Sequence, residues 1–354
     1  MADFVKVGNV QIGGGAPVSV QSMCNTDTRD VDATVGQILR LEDAGCEIIR
    51  VAVFDEAAAE AIKPIKAQIH IPLVADVHFN YRLAIQAVEN GVDKLRINPG
   101  NIGSADRVRK VADCCKTHRV PIRIGINGGS IEKQFLPLYR ENPAEAMCRS
   151  AMGHAKLLED CGFDDIVISL KCTTVSETVL SYRMAQARMD YPLHIGITET
   201  GPIETGIVKS AAGLGALLLQ GIGDTMRVSL TGDPVREVET ALSILRACGL
   251  RRDDVEIVSC PTCGRTRCDV EQAAAYVNAH VLHNKGYLKI AVMGCAVNGP
   301  GEAREADLGV AFGDGNGVLI RKGEIVGHGA YEEILRRLVD EANAILEGQN
   351  RITV

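Results

Sequence analysis

Between Val18 and Leu250 the chain repeats one pattern: a short β-branched run, a polar or Gly-rich loop, then an amphipathic helical stretch. Strands are predicted at 18–23, 47–53, 72–78, 94–98, 121–126, 165–171, 193–198 and 225–230. Several follow a Gly-containing turn, as in Ala44-Gly45-Cys46, Asn90-Gly91-Val92 and Cys161-Gly162-Phe163. That is the signature of a helix ending in a glycine cap before a parallel strand begins. Eight such units suit a (β/α)8 TIM barrel better than an open doubly wound sheet. Beyond 250 the pattern changes. Arg251-Arg252-Asp253-Asp254 is a short charged link, followed by a strand-like run at 255–259, a helix over 269–283, a strand-like run at 288–293, a Gly-rich segment of short strands, and a last helix near 331–346. Asp269 can cap the first of these helices, with Gln272 three residues on completing a capping box. The expected fold is α/β: a TIM barrel over residues 1–250 and a smaller α/β domain over 251–354. Gly313-Asp314-Gly315-Asn316-Gly317 lacks the Lys-Ser/Thr ending of a phosphate loop and reads as a turn between strands.

Composition removes several classes of partner. A formal charge of −7, from 38 Lys and Arg against 45 Asp and Glu, opposes a polyanionic duplex, and 4% aromatic residues supply few stacking platforms for single strands. No nucleic acid partner is expected. No apolar run reaches the roughly 18 residues of a membrane span, and the first nine residues lack the basic-then-apolar order of a signal peptide, so a cytoplasmic location is expected. Twelve cysteines in a chain of this size are not needed as staples, which turns the reading toward thiols and metal ligands. Cys46, Cys114, Cys115, Cys148, Cys161 and Cys248 lie in helix-like, Ala/Leu-rich surroundings and read as small hydrophobes.

In a barrel the reactive groups gather at the C-terminal ends of the strands, and here those ends are polar. Arg50 lies in the second strand; Asp76 and His78 end the third, and Arg96 and Asn98 the fourth. Arg123 and Asn127 flank the fifth, Ser169 and Lys171 end the sixth, Glu199 follows the seventh, and Arg227 and Ser229 lie in the eighth. Five cations aimed at one mouth need an anion to offset their repulsion, and a phosphorylated ligand is the natural one. The loops Asn98-Pro99-Gly100-Asn101-Ile102-Gly103 and Asn127-Gly128-Gly129-Ser130 can bring backbone N–H groups to phosphate oxygens. Glu199 is either a proton donor or base, or a carboxylate that neutralises a neighbouring Arg or Lys.

Cys260-Pro261-Thr262-Cys263 and the Cys295 turn, Gly294 to Glu302, form a second constellation. A Cys-x-x-Cys pair lets two thiolates face one metal, and Pro and Gly leave room for backbone hydrogen bonds to sulfur. A structural zinc with Cys268 as fourth sulfur, a redox dithiol and inert thiols stay open beside an iron–sulfur cluster. Three thiolates with the carboxylate Glu302 favour iron, because that set could leave one metal atom exchangeable. From the residues alone, a phosphosugar-processing barrel with a structural zinc domain and lyase or isomerase chemistry at Lys171 also fits. A non-catalytic metal sensor is a third reading.

Met23-Cys24-Asn25-Thr26, Leu73-Val74-Ala75-Asp76-Val77-His78-Phe79, Leu95-Arg96-Ile97-Asn98-Pro99-Gly100-Asn101-Ile102-Gly103, Cys260-Pro261-Thr262-Cys263 and Val297-Asn298-Gly299-Pro300-Gly301-Glu302 carry a further signal. In these motifs, and over essentially its whole length, the chain resembles the bacterial 4-hydroxy-3-methylbut-2-enyl diphosphate synthase family, in its two-domain form. The resemblance implies an oxidoreductase of the non-mevalonate isoprenoid pathway that reductively opens 2-C-methyl-D-erythritol 2,4-cyclodiphosphate, with a barrel followed by a domain carrying a 4Fe-4S cluster. It places cluster ligation on Cys260, Cys263, Cys295 and Glu302, and diphosphate binding on Arg50, Arg96, Arg123, Lys171 and Ser229. It puts Glu199 beside the reacting carbons. Asn98 and Asn127 join the binding set through the two loops. Cys268 lies outside the family pattern. A flavodoxin or ferredoxin is the implied electron donor, and the chain offers no Gly-x-Gly-x-x-Gly strand–turn–helix unit for a nicotinamide. The helix after the eighth strand returns the chain to the face opposite the mouth, and the link from Gly249 to Asp254 reaches only about 20 Å. A head-to-tail homodimer, each cluster domain capping the partner's barrel, is therefore expected.

Overall fold

The computed structural model describes residues 4–350. The chain divides after Arg251 into two units. In the first, β1 (Val5–Val7) and β2 (Val10–Ile12) form a hairpin that the sequence pattern does not announce. Its Val5, Val7 and Ile12 pack against Ile48, Val74 and Val167, which stand near the starts of three barrel strands, so the hairpin plugs the barrel floor.

The barrel strands are β3 (Ser19–Met23), β4 (Ile48–Ala52), β5 (Leu73–Asp76), β6 (Lys94–Ile97), β7 (Ile122–Asn127), β8 (Ile166–Lys171), β9 (His194–Gly196) and β10 (Thr225–Arg227). All neighbours run parallel, in the order β8-β7-β6-β5-β4-β3-β10-β9. The seam between β8 and β9 closes through a bridge from Ile168 to Leu193 and the bond from Ile168 N to Pro192 O, at 2.9 Å. These are the eight strands of the expected TIM barrel. Strand alternation explains the placing of the core: Ile49, Val51, Leu73, Leu95, Ile97, Ile122, Ile124 and Ile166 face outward into the layer beneath the helices. Asp30, Asp55, Asn80, Asn142, Thr174 and Asp233 accept hydrogen bonds from the first turns of the helices they cap. The loops entering those helices are thus pinned next to the strand ends.

In the second unit β11 (Val255–Ser259), β12 (Leu288–Met293) and β13 (Leu308–Phe312) run parallel, and β14 (Asn316–Arg321) and β15 (Glu324–Ala330) continue the sheet antiparallel. Helices Val270–His280 and Tyr331–Asn350 bury one face of it. The first is shorter than the sequence pattern suggests. Asp269 caps it, accepting from Gln272 N at 2.9 Å. The Gly313–Gly317 segment turns the chain between β13 and β14, with Gly313 N donating to Asn316 O at 2.8 Å. All twelve cysteines are free thiols. Cys46 sits in the turn before β4 rather than in a helix, and burial pushes both it and Cys148 up to about 12. Among the described residues no helix is long and apolar enough to cross a membrane.

Candidate active site

The strand alternation that turns Ile residues outward turns polar residues in. Arg50, Lys94, Arg96, Arg123 and Lys171 are all buried and Arg227 is half-buried, while among the described residues only two buried carboxylates, Asp76 and Glu237, stand with them. Asp76 at the end of β5 accepts from Arg96 Nη1 at 3.0 Å and lies 3.7 Å from Arg50 Nε. Glu237 pairs with Arg227 at 3.2 Å. The Met23 thioether takes the other side of Arg50, 2.7 Å from Nη2. Arg96 Nη2 donates to Gly125 O, and its guanidinium runs so close to β7 that a Cβ on Gly125 would stand 2.7 Å from Nε. Any larger residue at that inward position would have to displace the Arg96 guanidinium.

Among the described residues no carboxylate stands within ion-pair distance of Arg123, Lys94 or Lys171. Arg123 Nη1 donates to Ser169 Oγ at 2.5 Å, but its Nε and Nη2 are buried without acceptors. Lys94 donates to Gln21 Oε1 at 3.0 Å. Burial, then the charges of Arg227, Arg50, Arg123 and Arg96, push Lys171 well below its ordinary value. Burial likewise weighs against the charged form of Arg123, with Arg50 and Arg96 adding to it, although a guanidinium keeps its proton. Asp76 is the counterweight. Burial alone would raise its carboxyl, but Arg50, Arg96 and Arg123 outweigh burial and bring it to about 2. Arg50 is lowered to about 10, mainly by burial. Donors outnumber acceptors here, and an anion with several oxygens is the species that would satisfy them.

Asn98 lies one residue beyond β6, which ends at Ile97, and precedes the short helix Pro99–Ile102; its Oδ1 accepts from Gly125 N at 3.0 Å, which ties the loop to β7. Asn127 is the last residue of β7 and is half-buried. Ser229 is not in a strand: β10 ends at Arg227, two residues before it. Side chains have taken over the backbone groups there, Glu237 accepting from Leu230 N at 2.9 Å and Thr200 Oγ1 donating to Ser229 O. The Ser229 hydroxyl is buried with no hydrogen-bond partner. Glu199 lies in the loop after β9, exposed, with a backbone φ of +57° that a non-glycine residue rarely adopts. Among the described residues no cation pairs with it.

The second constellation lies in the second unit. β11 and β12 pair in parallel with Ser259 opposite Val292, so Cys260-Pro261-Thr262-Cys263 and Gly294-Cys295 leave neighbouring strand ends. Gly294 N donates to Cys260 Sγ at 3.2 Å, and Arg267 N to Gly294 O at 2.8 Å, linking the two turns. The N–H groups of Asn298 and Val297 lower the Cys295 thiol below its ordinary value, a setting made for thiolate. Cys263 and Glu302 are exposed. Among the described residues no three Cys, His, Asp or Glu side chains meet at metal-binding range. The donor chemistry fits a thiolate-bound cluster, with amide N–H groups on two sulfurs and a free carboxylate on the same turn. Cys268, like Cys260, packs on the apolar core, but its thiol is held in the protonated form: burial, followed by the nearby Cys260, pushes it up to about 11.

Sequence reasoning missed Lys94, His194 and Glu237. Both ring nitrogens of His194 are buried without partners, and burial with the surrounding cations holds it neutral. The signal for the first two was present, since Lys94 precedes Arg96 by two residues and His194 precedes Gly196 by two, which is the period of one strand face. Glu237 reaches the mouth from the helix Pro234–Ala247, and no periodicity announces that.

Comparison with known proteins covers both units. Residues 2–242 match the family model of the GcpE TIM-barrel domain, and residues 256–344 that of the GcpE protein C-terminal domain. The 4-hydroxy-3-methylbut-2-en-1-yl diphosphate synthase (flavodoxin) of Caldanaerobacter subterraneus subsp. tengcongensis is 55% identical over 343 residues, spanning 97% of each chain. The protein of the same name from Geobacter sulfurreducens is 54% identical over 342 residues, again spanning 97% of each. Among solved structures, the Yersinia pestis dihydropteroate synthase superposes with a TM-score of 0.50 at 10% identity, over 70% of this chain and 98% of that one. That likeness concerns the barrel fold alone.

Proposed function

The chain belongs to the GcpE family, and from that premise we propose that it reductively converts 2-C-methyl-D-erythritol 2,4-cyclodiphosphate to 4-hydroxy-3-methylbut-2-enyl diphosphate, the non-mevalonate step. The substrate takes up two electrons, its C2–O bond to the diphosphate opens, and the C3 hydroxyl leaves as water. The observation that carries the reading is the excess of buried cations over carboxylates around Asp76. Arg50, Arg96, Arg123 and Lys171 would bind the diphosphate oxygens, with the unpaired Nε and Nη2 of Arg123 and the Ser229 hydroxyl as waiting donors. Asn98, which accepts from Gly125 N, and Asn127, where the next loop begins, would join them in the binding set. Binding the anion relieves the mutual repulsion of these cations, so the site gains most from a ligand carrying several negative oxygens. Glu199, exposed and unpaired in the loop above, would give the proton that accompanies the departing oxygen.

Cys260, Cys263, Cys295 and Glu302 would hold a 4Fe-4S cluster. When bound, it supplies electrons to the substrate one at a time, delivered by a flavodoxin. The helix Pro234–Ala247 brings the chain back to the barrel's N-terminal face, and a short segment, residues 248–254, joins it to β11. We therefore read the active site as shared between two copies in a homodimer.

The test is anaerobic purification with iron and sulfide analysis, then turnover of the cyclic diphosphate with reduced flavodoxin. Brown protein whose broad visible absorption bleaches with dithionite, and which consumes the substrate, is the expected result. Colourless protein holding stoichiometric zinc after anaerobic reconstitution, and leaving the substrate unchanged, would overturn the reading.

A further inference from the structure

The loops after β6 and β7 meet at one side chain that belongs to neither. His154 lies on the helix Pro143–Glu159, is 4% exposed, and projects between them. Gly100 N, in the loop after β6, donates to His154 Nδ1 at 2.9 Å. On the other side Nε2 stands 2.8 Å from Glu132 Oε1, in the loop after β7. Ser150, one turn earlier on the same helix, donates to the other Glu132 oxygen at 2.6 Å. A backbone N–H can only donate, so Nδ1 must carry the lone pair and Nε2 the proton. Glu132 is an acceptor of matching kind: burial would raise its carboxyl, but the bonds from His154 and Ser150 bring it to about 2. A Cβ at Gly100 would stand 2.6 Å from the imidazole Cε1, so a side chain there would have to displace His154.

We propose that His154 is a positioning residue that locks the loops after β6 and β7 into one register, accepting the Gly100 N–H at Nδ1 and donating Nε2–H to Glu132. The inference rests on the mouth being a diphosphate site, since those loops begin at Asn98 and Asn127 and flank Arg96 and Arg123. Its consequence is that loop amides are set before the anion arrives, so less ordering has to accompany binding. His154 touches no substrate; it acts through Gly100 and Glu132.

The probe is inorganic pyrophosphate, titrated calorimetrically into the full-length protein, with amide hydrogen exchange followed over residues 98–103 and 127–135. His154→Ala should weaken pyrophosphate by roughly five- to tenfold, the size of one lost hydrogen bond, and speed exchange in both loops while the rest of the barrel keeps its protection. His154→Asn places an acceptor near Nδ1 and should retain more affinity than His154→Gln, whose amide lies near Nε2. Glu132→Ala, at a part-exposed side chain, should loosen both loops as well and carries the test if His154→Ala does not fold. Arg123→Ala separates the two ideas. If it abolishes pyrophosphate binding while His154→Ala binds and exchanges like the parent, the positioning role fails and the diphosphate site stands. If Arg123→Ala also binds like the parent, the site reading itself has failed. Equal losses in the Asn and Gln variants would overturn the Nδ1 acceptor assignment and the proposal with it.

Discussion

Asp76→Asn removes the negative charge from the centre of the barrel mouth and changes little else in shape. Its carboxylate faces Arg96 at 3.0 Å and Arg50 at 3.7 Å, and its side chain is 7% exposed, so water cannot replace the lost charge. Two routes give the magnitude. The fall of the carboxyl from its ordinary 3.8 to about 2 corresponds to about 2–3 kcal/mol of favourable interaction with the ionised form. Breaking a buried ion pair by neutralising one partner typically costs about 3–5 kcal/mol, because the cations stay behind unpaired. The variant should therefore lose about 2–5 kcal/mol at pH 7, read from urea-induced unfolding of the barrel. The sign with pH follows from the direction of the shift. A carboxyl lowered by folding stabilises fully above its unfolded value near 4, and that contribution disappears as pH falls toward about 2. The gap between parent and variant should thus be constant from pH 7 to about 5 and narrow below about 4. Saturating pyrophosphate should narrow it at pH 7 as well, since the anion replaces the missing charge. A variant as stable as the parent at pH 7, or a gap that does not change between pH 6 and 3, would show that Asp76 is not the counterweight to these arginines.

Four other outcomes follow from the same geometry. Arg123→Met should weaken pyrophosphate or substrate by tenfold or more in calorimetry, yet leave the urea midpoint unchanged or higher, because it deletes a buried cation with two unpartnered nitrogens and no carboxylate at ion-pair distance; a large loss of stability would mean that the arginine is a structural strut. Glu199→Gln should bind substrate and take up an electron but lose turnover, and a parent-like rate across the pH range would reduce Glu199 to a loop residue. Cys263→Ser should strip most of the iron whereas Glu302→Ala should keep it and slow turnover; iron loss in Cys268→Ala with full activity in Glu302→Ala would refute the ligand set. Arg123→Ala and Cys263→Ser chains, each nearly inactive, should recover activity as a purified mixed dimer, and activity no higher than the parents' residual rates would mean that each chain builds its own site.

The barrel was legible because its signal is local and repeated. Strand periodicity, glycine caps and helix-capping residues such as Asp55 and Thr174 lie within a few residues of what they control, and all eight strands stand where those signals put them. The polar strand ends were legible for the same reason, since Arg96 and Asn98 share a face by period alone. What the sequence could not show is pairing across the barrel. Asp76 facing both Arg50 and Arg96, Arg123 left with Ser169 only, and Glu237 accepting from Ser22 Oγ across the β10–β3 junction are contacts between residues 20 to 215 apart, settled by closure of the sheet. The ends of β10 were likewise decided by side chains, Glu237 and Thr200 taking backbone partners that a longer strand would have used. The clearest case is His154. In sequence it is one histidine in an Ala-rich helix. Only the folded chain brings Gly100 and Glu132 to its two nitrogens, 54 and 22 residues away, because β6 and β7 are neighbours and the helix after β7 packs back beneath both loops. Periodicity fixes which face a side chain takes, and tertiary closure fixes what stands opposite it.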